Sequence, residues 1–239
     1  MEKLVYVLWR SARLDRATFR DRVLDCAKHT LPSFGGRRIS VNVADEHAAA
    51  AAHMRMTHLP APIDATLSVW LDTHLARKPM EEALTSLTSR MAGYLVLESM
   101  PIVNDARLPD QEGRIDCLCT VALLEKPAGM DHEAWREQWQ GHHTGVAVET
   151  QSTFLYIQNL VVRPLAADQP AWTAIVEECF PVEAATDPMV FYDARGSKER
   201  LQQNQLRMIE SCQKFIDFST LELHPMSPYV LDRQPRQDG

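Results

Sequence analysis

Residues 14–20 read LDRATFR, and residues 130–136 read MDHEAWR. In register, both segments give an apolar residue, Asp, two variable positions, a small or polar residue, an aromatic residue and Arg. Each segment follows an apolar run of strand length, residues 4–9 and residues 117–124. Asp15 and Asp131 are suited to cap a helix, because their carboxylates can accept hydrogen bonds from the free amides of its first turn. A strand followed by a capped helix is therefore predicted twice.

The similarity between the two halves continues downstream in the same order. RISVNV at residues 38–43 resembles YIQNLV at 156–161 and aligns Asn42 with Asn159, while 65–71 matches 172–178 as a third strand. LVLESMP at 95–101 matches STLELHP at 219–225 as the last strand of each half. Helical spacing predicts a second amphipathic helix before that strand. Its apolar face would consist of Met80, Ala83, Leu84, Leu87 and Met91 in the first half, and of Leu201, Leu206, Ile209, Cys212 and Phe215 in the second.

Each half therefore has the order β-α-β-β-α-β, the ferredoxin-like unit. We predict a first repeat at residues 1–104, a polar linker at 105–114 and a second repeat at 115–239. In such a unit both helices cover one face of the sheet, and the other face needs cover of its own. The sequence therefore predicts an α+β fold in which the two sheets pack face to face as a barrel that can hold a small ligand. The first half also carries a long connection at 45–63, where AAAAA predicts a short helix.

Composition excludes several classes of protein. The chain has 239 residues, 45% of them apolar, and a formal net charge of -7 without a long basic run, so nucleic acid is not an expected partner. No stretch is long and apolar enough to span a membrane or to act as a secretory signal, and a cytoplasmic protein is expected. The five cysteines fit no disulfide scaffold, and Cys117 and Cys119 are interpreted as buried small residues rather than as a metal or redox pair. Neither a metal site nor a cofactor-binding motif is predicted.

One segment of the second half resembles a known family. WREQWQGHHTGVAVE at residues 135–149, followed by YIQNLVV at 156–162, is similar to the EthD family of the dimeric α+β-barrel superfamily. The chain departs from that family's pattern at Thr144-Gly145, where Gly-Pro is expected. The positions that match are Trp135, Trp139, His142, His143, Gln158 and Asn159, with Phe19, His29 and Asn42 as fainter counterparts in the first half.

The predicted catalytic residues are two histidines. His143 occupies the position of the family's His, and His29 is its counterpart, since both halves read His-Thr. An imidazole beside an apolar lumen could move a proton near neutral pH. The alternative is a His that interacts with the last carbonyls of its helix. His142 is expected to be exposed, because adjacent helical residues point about 100° apart.

The predicted substrate-binding residues come from helices and strands. Gln158 and Asn159 alternate faces on a strand, so one of the two should face the lumen. Four carboxylates are further candidates: Glu98 and Glu222, which the alignment puts at matching places, and Glu177 and Glu178. A buried carboxylate would have a raised pKa and could act as an acid or base, whereas an outward-facing one would not. The substrate-binding set is Trp135, Trp139, Asn159, Gln158 and Trp9.

The resemblance implies a protein that binds a small apolar or aromatic organic molecule in the barrel. We expect a cofactor-free proton-transfer enzyme of dehydratase, decarboxylase or cyclase type. The resemblance leaves two alternatives open: an oxidoreductase or accessory protein of a monooxygenase system, and a non-catalytic binding or assembly module. Fold alone does not choose among them. A homodimer is compatible with this fold.

Overall fold

Eight strands of the computed structural model, which describes residues 1–231, close into one antiparallel barrel with the helices outside it. The strands are β1 (Glu2–Arg10), β2 (Arg37–Val43), β3 (Ala65–Leu71), β4 (Thr88–Ile102), β5 (Leu118–Leu124), β6 (Leu155–Pro164), β7 (Ala174–Phe180) and β8 (Glu222–Val230). The α-helices are α1 (Arg16–Asp25), α2 (Lys78–Thr85), α3 (His132–Arg136), α4 (Thr144–Thr150), α5 (Pro188–Phe191) and α6 (Lys198–Cys212).

The strand order around the barrel is β1-β3-β2-β8-β5-β7-β6-β4. The first half contributes β4-β1-β3-β2 and the second contributes β8-β5-β7-β6, so both halves have the same internal order. The halves meet at two seams, β2 with β8 and β4 with β6. The α+β barrel prediction is confirmed. A tandem duplication would produce this repeated order; the duplication and its boundaries remain predictions.

Both faces of β1 are buried, which accounts for its almost continuous apolar run. Val5 and Val7 point into the lumen, where they pack with lumenal residues of the second half such as Val121. Leu4 and Leu8 point outward against the helices of the first half. Full burial of each such side chain is worth about 1.5–3 kcal/mol, so a barrel closed by both halves stabilises each of them.

Both predicted helix caps form. Asp15 accepts a hydrogen bond from the Thr18 amide at 2.8 Å, and Asp131 accepts one from the Glu133 amide at 2.9 Å. In both halves the helix then continues as a π-helix, at Cys26–Thr30 and at Glu137–His143. A π turn inserts a residue into the helical repeat and turns the side chains that follow to a new direction. Both candidate histidines lie in these π segments.

Two predicted helix faces differ from the structure. α2 ends at Thr85 instead of reaching Met91, because Met91 pairs with Leu8 in the long strand β4, and sheet pairing there outweighs helical periodicity. α6 buries Asn204, Met208 and Ser211, whereas Leu206 and Ile209 are 57% and 49% exposed. The Asn204 amide donates to the Tyr192 carbonyl at 2.7 Å. This bond holds the Asn204 side of α6, and not the predicted Leu206 side, towards the protein interior.

The alanine-rich connection forms a 3-10 helix, Glu46–Met54, beside β8. Asp45 caps it by accepting from the His47 amide at 3.1 Å. The same carboxylate accepts from Ser227 Oγ at 2.6 Å and from the Tyr229 hydroxyl at 2.7 Å, which ties the segment to the barrel. No helix within residues 1–231 is both long and apolar enough to cross a membrane.

Candidate functional site

One end of the barrel lumen opens into a cavity of about 880 Å³. Its walls are largely apolar and come from both halves. Four residues of the predicted linker line it as well, Asp105, Arg107, Leu108 and Pro109. Such a volume accommodates one small organic molecule. The apolar walls include Trp70, Met100, Leu108, Ile115, Leu155 and Ile157.

The floor of the cavity is charged. The side chain of Lys3 is only 3% exposed, and its ammonium donates to Glu98 Oε2 at 2.5 Å and to Asn159 Oδ1 at 2.7 Å. Glu177 Oε1 lies 4.0 Å from the same ammonium. A buried ammonium is tolerated only when it is paired and hydrogen-bonded, as it is here.

Two amides hold the Glu177 carboxylate. Asn42 Nδ2 donates to its Oε2 at 2.8 Å, and Asn159 Nδ2 donates to its Oε1 at 3.1 Å. Asn42 and Asn159 are the pair that the sequence alignment predicted, and they reach one carboxylate from opposite halves. At this floor two carboxylates, Glu98 and Glu177, lie within 4.0 Å of one ammonium.

The charged floor lies on one side of the lumen. Lys3 pairs with Trp70 in β3, and Cys119 pairs with Cys179 at the corresponding place in the second half. At the seam between β4 and β6, Glu98 pairs with Asn159. At the seam between β2 and β8, the corresponding pair is Pro228 and Asn42. The second seam therefore has a thiol and a proline where the first has an ammonium and a carboxylate.

Three buried thiols lie in this lumen, those of Cys117, Cys119 and Cys179. Hydrogen bonding to the Cys117 and Cys119 thiols, together with burial, raises the pKa of Cys179 well above its ordinary value. A Cys179 thiol that stays protonated is a poor nucleophile. Cys117 and Cys119 are both buried, as the sequence predicted.

The predicted binding residues divide between two places. Asn159 faces the lumen at the cavity floor, whereas Gln158 faces the helices and donates to Thr144 Oγ1 at 2.8 Å. Trp9 is lumenal but lies at the other end of β1 from Lys3, where its ring stacks on Trp172 at a centroid distance of 6.4 Å. Trp9 is thus remote from the cavity.

Trp135 and Trp139 lie outside the lumen, between the sheet and the helices of the second half. Their ring centroids are 5.0 Å apart, and Trp135 Nε1 donates to the Phe215 carbonyl at 3.0 Å. His143 is buried in the same layer, with Nδ1 2.9 Å from Ser211 Oγ and its ring 4.7 Å from that of Phe215. The structure therefore brings together Trp135, Trp139, Gln158 and His143, but not in the cavity.

Neither candidate histidine lies beside the lumen, contrary to the expectation from the sequence. Burial lowers the pKa of His143 from its ordinary 6.5 to about 4, so its imidazole is neutral at pH 7. His29 is 63% exposed, with Nε2 3.8 Å from Asp25 Oδ1. The physical reason is that both helices cover the outer face of the sheet, and their π turns direct these side chains into the helix layer or into solvent. His142 is 64% exposed, as expected.

Glu98 and Glu222 do not occupy matching places. Glu98 lies at the cavity floor, whereas Glu222 pairs with Leu123 towards the other end of the barrel. There Glu222 accepts from the His58 amide at 2.6 Å and the Leu59 amide at 3.1 Å, and it lies 2.9 Å from His224 Nε2. Glu222 thus fastens the connection between β2 and β3 to the barrel.

Lys3 is not among the residues predicted from the sequence, although the sequence contains a signal for it. Val5, Val7 and Trp9 share one face of the first strand, and strand alternation extends that face to Lys3. A lysine two residues from a strand end is usually exposed, and its partners Glu98 and Asn159 are 95 and 156 residues away in the chain. Only the closure of the barrel brings the three together.

No protein-family model matches the chain, and no curated protein matches it. Solved structures do. An anthrone oxidase-like protein is 7% identical with a TM-score of 0.55, covering 100% of this chain and 96% of its own. A candidate monooxygenase from Fusobacterium nucleatum is 10% identical with a TM-score of 0.53, covering 98% and 94%. A dye-decolorizing peroxidase from Bacteroides thetaiotaomicron is 9% identical with a TM-score of 0.51, covering 96% and 93%.

At these identities the likeness concerns the fold alone. The three structures match this chain over nearly their whole length, and both the closed eight-stranded barrel and its outer helices agree with that match. The chain has the fold of the dimeric α+β barrels, completed within one polypeptide.

Proposed function

We propose that the protein binds one small, largely apolar organic molecule in the lumen cavity and catalyses a cofactor-free proton transfer on it, of dehydratase, decarboxylase or cyclase type. The observation that carries the proposal is the Lys3 ammonium, buried at the cavity floor and bonded to Glu98 at 2.5 Å. An apolar cavity with a few convergent polar groups is the usual form of a small-molecule site.

Lys3 is the residue that receives the substrate oxygen. An ammonium has three donors, and Glu98 and Asn159 engage two of them, so the third remains for a ligand carbonyl or phenol oxygen. Negative charge that develops on this oxygen during deprotonation is stabilised by the fixed positive charge. Glu177, held by Asn42 and Asn159, keeps a compensating negative charge beside the ammonium.

Glu98 is the proton acceptor. It lines the cavity and is 19% exposed, so it is the carboxylate of the floor with access to a bound molecule. Substrate loses a proton from carbon to Glu98, and the resulting enolate oxygen stays paired with Lys3. In this proposal Glu98 and Lys3, and not His143 and His29, carry out the proton transfer.

The test is hydrogen–deuterium exchange at the acidic carbon of an aromatic ketone. With 2-tetralone in deuterated buffer, NMR should show exchange above the buffer rate in the wild-type protein. Glu98→Gln and Lys3→Met should each lower that rate at least ten-fold, because general-base catalysis typically contributes about 10²–10⁴-fold. The matched control is Glu82→Gln, an exposed residue of α2. Wild-type exchange rates in both floor variants would contradict the proposal.

Oxidation is the second candidate function, favoured by the same ammonium. Oxidation without a cofactor begins with a stabilised carbanion or enolate, which then reacts with oxygen, and Lys3 would stabilise that species as well. One structure with this fold is an anthrone oxidase-like protein. Oxygen uptake with anthrone separates the candidates: uptake that depends on Lys3 favours oxidation, and exchange without uptake favours proton transfer. Binding without either would favour the non-catalytic alternative.

Membership of the second half in the EthD family is also our proposal, supported by the motif at residues 135–162. We also propose that the protein forms a homodimer and lies in the cytoplasm, as expected from the sequence. Sedimentation at several concentrations would test the dimer.

A further inference from the structure

The mouth of the lumen cavity differs in charge from its floor. The floor has two carboxylates for one ammonium. Within residues 1–231, the cavity-lining residues at exposed positions have the opposite balance, with two guanidiniums for one carboxylate: Arg38, Arg107 and Asp105. An anionic group on a ligand is therefore attracted to the mouth and repelled by the carboxylates of the floor.

Arg107 is held at the mouth by its own loop and by an aromatic ring. Its amide donates to Asn104 Oδ1 at 2.9 Å, and Asn104 Nδ2 donates to its carbonyl at 2.7 Å. The central carbon of the guanidinium lies 4.4 Å from the centroid of the Phe154 ring. No carboxylate of residues 1–231 forms an ion pair with this guanidinium. A guanidinium stacked on a ring keeps its N–H edge for a carboxylate, which it binds with two parallel hydrogen bonds.

Arg38 is positioned by Trp70, which also neighbours the floor. The central carbon of the Arg38 guanidinium lies 5.6 Å from the centroid of the Trp70 ring. The Arg38 backbone has a φ of 48°, at the place where the register between β2 and β3 shifts. A residue other than glycine adopts this left-handed region only where the surrounding structure compensates for the strain. Trp70 pairs with Lys3 in β1 and with Arg37 in β2, so its indole connects the floor ammonium with the mouth.

We propose that the lumen site takes an aromatic ketone or phenol that carries a carboxylate, with its oxygen on Lys3 and its carboxylate on Arg38 and Arg107 at the mouth. The inference rests on the proposed function and narrows its substrate to an aromatic acid. Lys3 and Arg38 lie on strands either side of β3, so their backbones are on the order of 10 Å apart. A bicyclic ring with a carboxylate at its far end bridges the two cations, and the apolar walls between them suit such a ring.

Isothermal titration calorimetry with 2-tetralone-6-carboxylate and its methyl ester tests the proposal. The two probes share the bicyclic ring and the ketone, but the ester has no charge. We expect wild-type protein to bind the acid about ten-fold or more tightly than the ester. Arg38→Gln and Arg107→Gln should each weaken acid binding about two- to ten-fold and leave ester binding unchanged, since each removes one partly exposed ion pair. The matched control is Arg13→Gln, an exposed residue beyond the other end of β1 from Lys3.

Two more variants separate this binding mode from a carboxylate placed on Lys3 itself. Asp105→Asn removes the negative charge of the mouth and should strengthen acid binding only. Lys3→Met removes the partner of the ketone oxygen and should weaken acid and ester alike. Loss of the preference for the acid in Lys3→Met, with the preference unchanged in both arginine variants, would place the carboxylate at the floor and overturn the proposal.

Binding and deuterium exchange together distinguish the failure of this proposal from the failure of the proposed function. Glu98→Gln should still prefer the acid, although its exchange rate is lowered. Equal affinity of wild-type protein for acid and ester, with exchange of both, would overturn the role of the mouth and leave the proton transfer standing. A preference for the acid that depends on Arg38 and Arg107, without any exchange, would support the mouth and contradict the proton transfer. Binding of neither probe would overturn both.

Discussion

Glu177 and Glu178 are consecutive residues of β7 whose carboxylates meet opposite environments. Glu177 receives two amide hydrogen bonds and lies 4.0 Å from the Lys3 ammonium. Glu178 receives none within residues 1–231, and loss of hydration raises its pKa to about 7. Side chains alternate along β7, so one carboxylate reaches the amides of the lumen and its neighbour lies on the helix-facing side of the sheet.

Glu178 should make the wild-type protein less stable as the pH rises. Its pKa is raised from 4.5 to about 7 in the folded state, so between these values the folded protein binds a proton that the unfolded chain has lost. Stability contributed by this group therefore falls from pH 4.5 to pH 7, by on the order of 3 kcal/mol. Glu178→Gln should be more stable than wild type above pH 7 and equal to it below pH 4.5, as measured by urea unfolding. A loss of stability in this variant at pH 8 would contradict the argument.

His143 should have the opposite effect. Its folded pKa of about 4 lies below the ordinary 6.5, so between these values the unfolded chain binds a proton that the folded protein does not. Stability therefore falls as the pH drops from 6.5 to 4, by on the order of 3 kcal/mol. His143→Gln, which keeps a polar group near Ser211, should remove this acid sensitivity, whereas the exposed control His142→Gln should retain it. Identical pH profiles in wild type and His143→Gln would show that His143 is not buried neutral.

At the scale of elements, the sequence predicted the features that depend on neighbouring residues, such as helix caps and the order of strands and helices. The Asp15 and Asp131 caps and the order of strands and helices in each half followed from propensity and spacing. The end of α2 and the buried face of α6 did not, because strand pairing and a tertiary hydrogen bond outweigh periodicity there. The direction in which the His143 side chain points was also not predicted, because it lies in a π-helix that no sequence pattern indicated.

The 3-10 helix Glu46–Met54 depends on Asp45, whose carboxylate accepts from two buried hydroxyls of β8 as well as from the His47 amide. Asp45→Ala would remove the cap and leave the Ser227 and Tyr229 hydroxyls without their acceptor. We expect a loss of about 2–4 kcal/mol in the free energy of unfolding and faster amide exchange in this helix. Asp168→Ala, at an exposed loop position, is the control. Unchanged amide exchange in Glu46–Met54 would show that the segment is held by apolar contacts instead.

At the scale of the molecule, barrel closure assembles the lumen site from distant residues. Lys3 and Glu98 come from the first half and Asn159 and Glu177 from the second, so neither half alone has the charged floor. The sequence predicted that each half repeats one unit, whereas the difference between the two seams depends on strand register. The barrel therefore has a charged floor at one seam and not at the other, although both halves have the same strand order.

The shared lumen also determines how the protein unfolds. Lumenal side chains of one half, such as Val5 and Val7, are covered by those of the other, such as Leu123, so separating the halves would expose a core to water. We therefore expect one cooperative transition. Leu123→Ala, in the second half, should lower the whole transition by about 2–5 kcal/mol, equally by far-UV circular dichroism and by tryptophan fluorescence. Leu75→Ala, 74% exposed, is the control. Two separate transitions, with only one of them shifted by Leu123→Ala, would mean that each half is stable without the shared lumen.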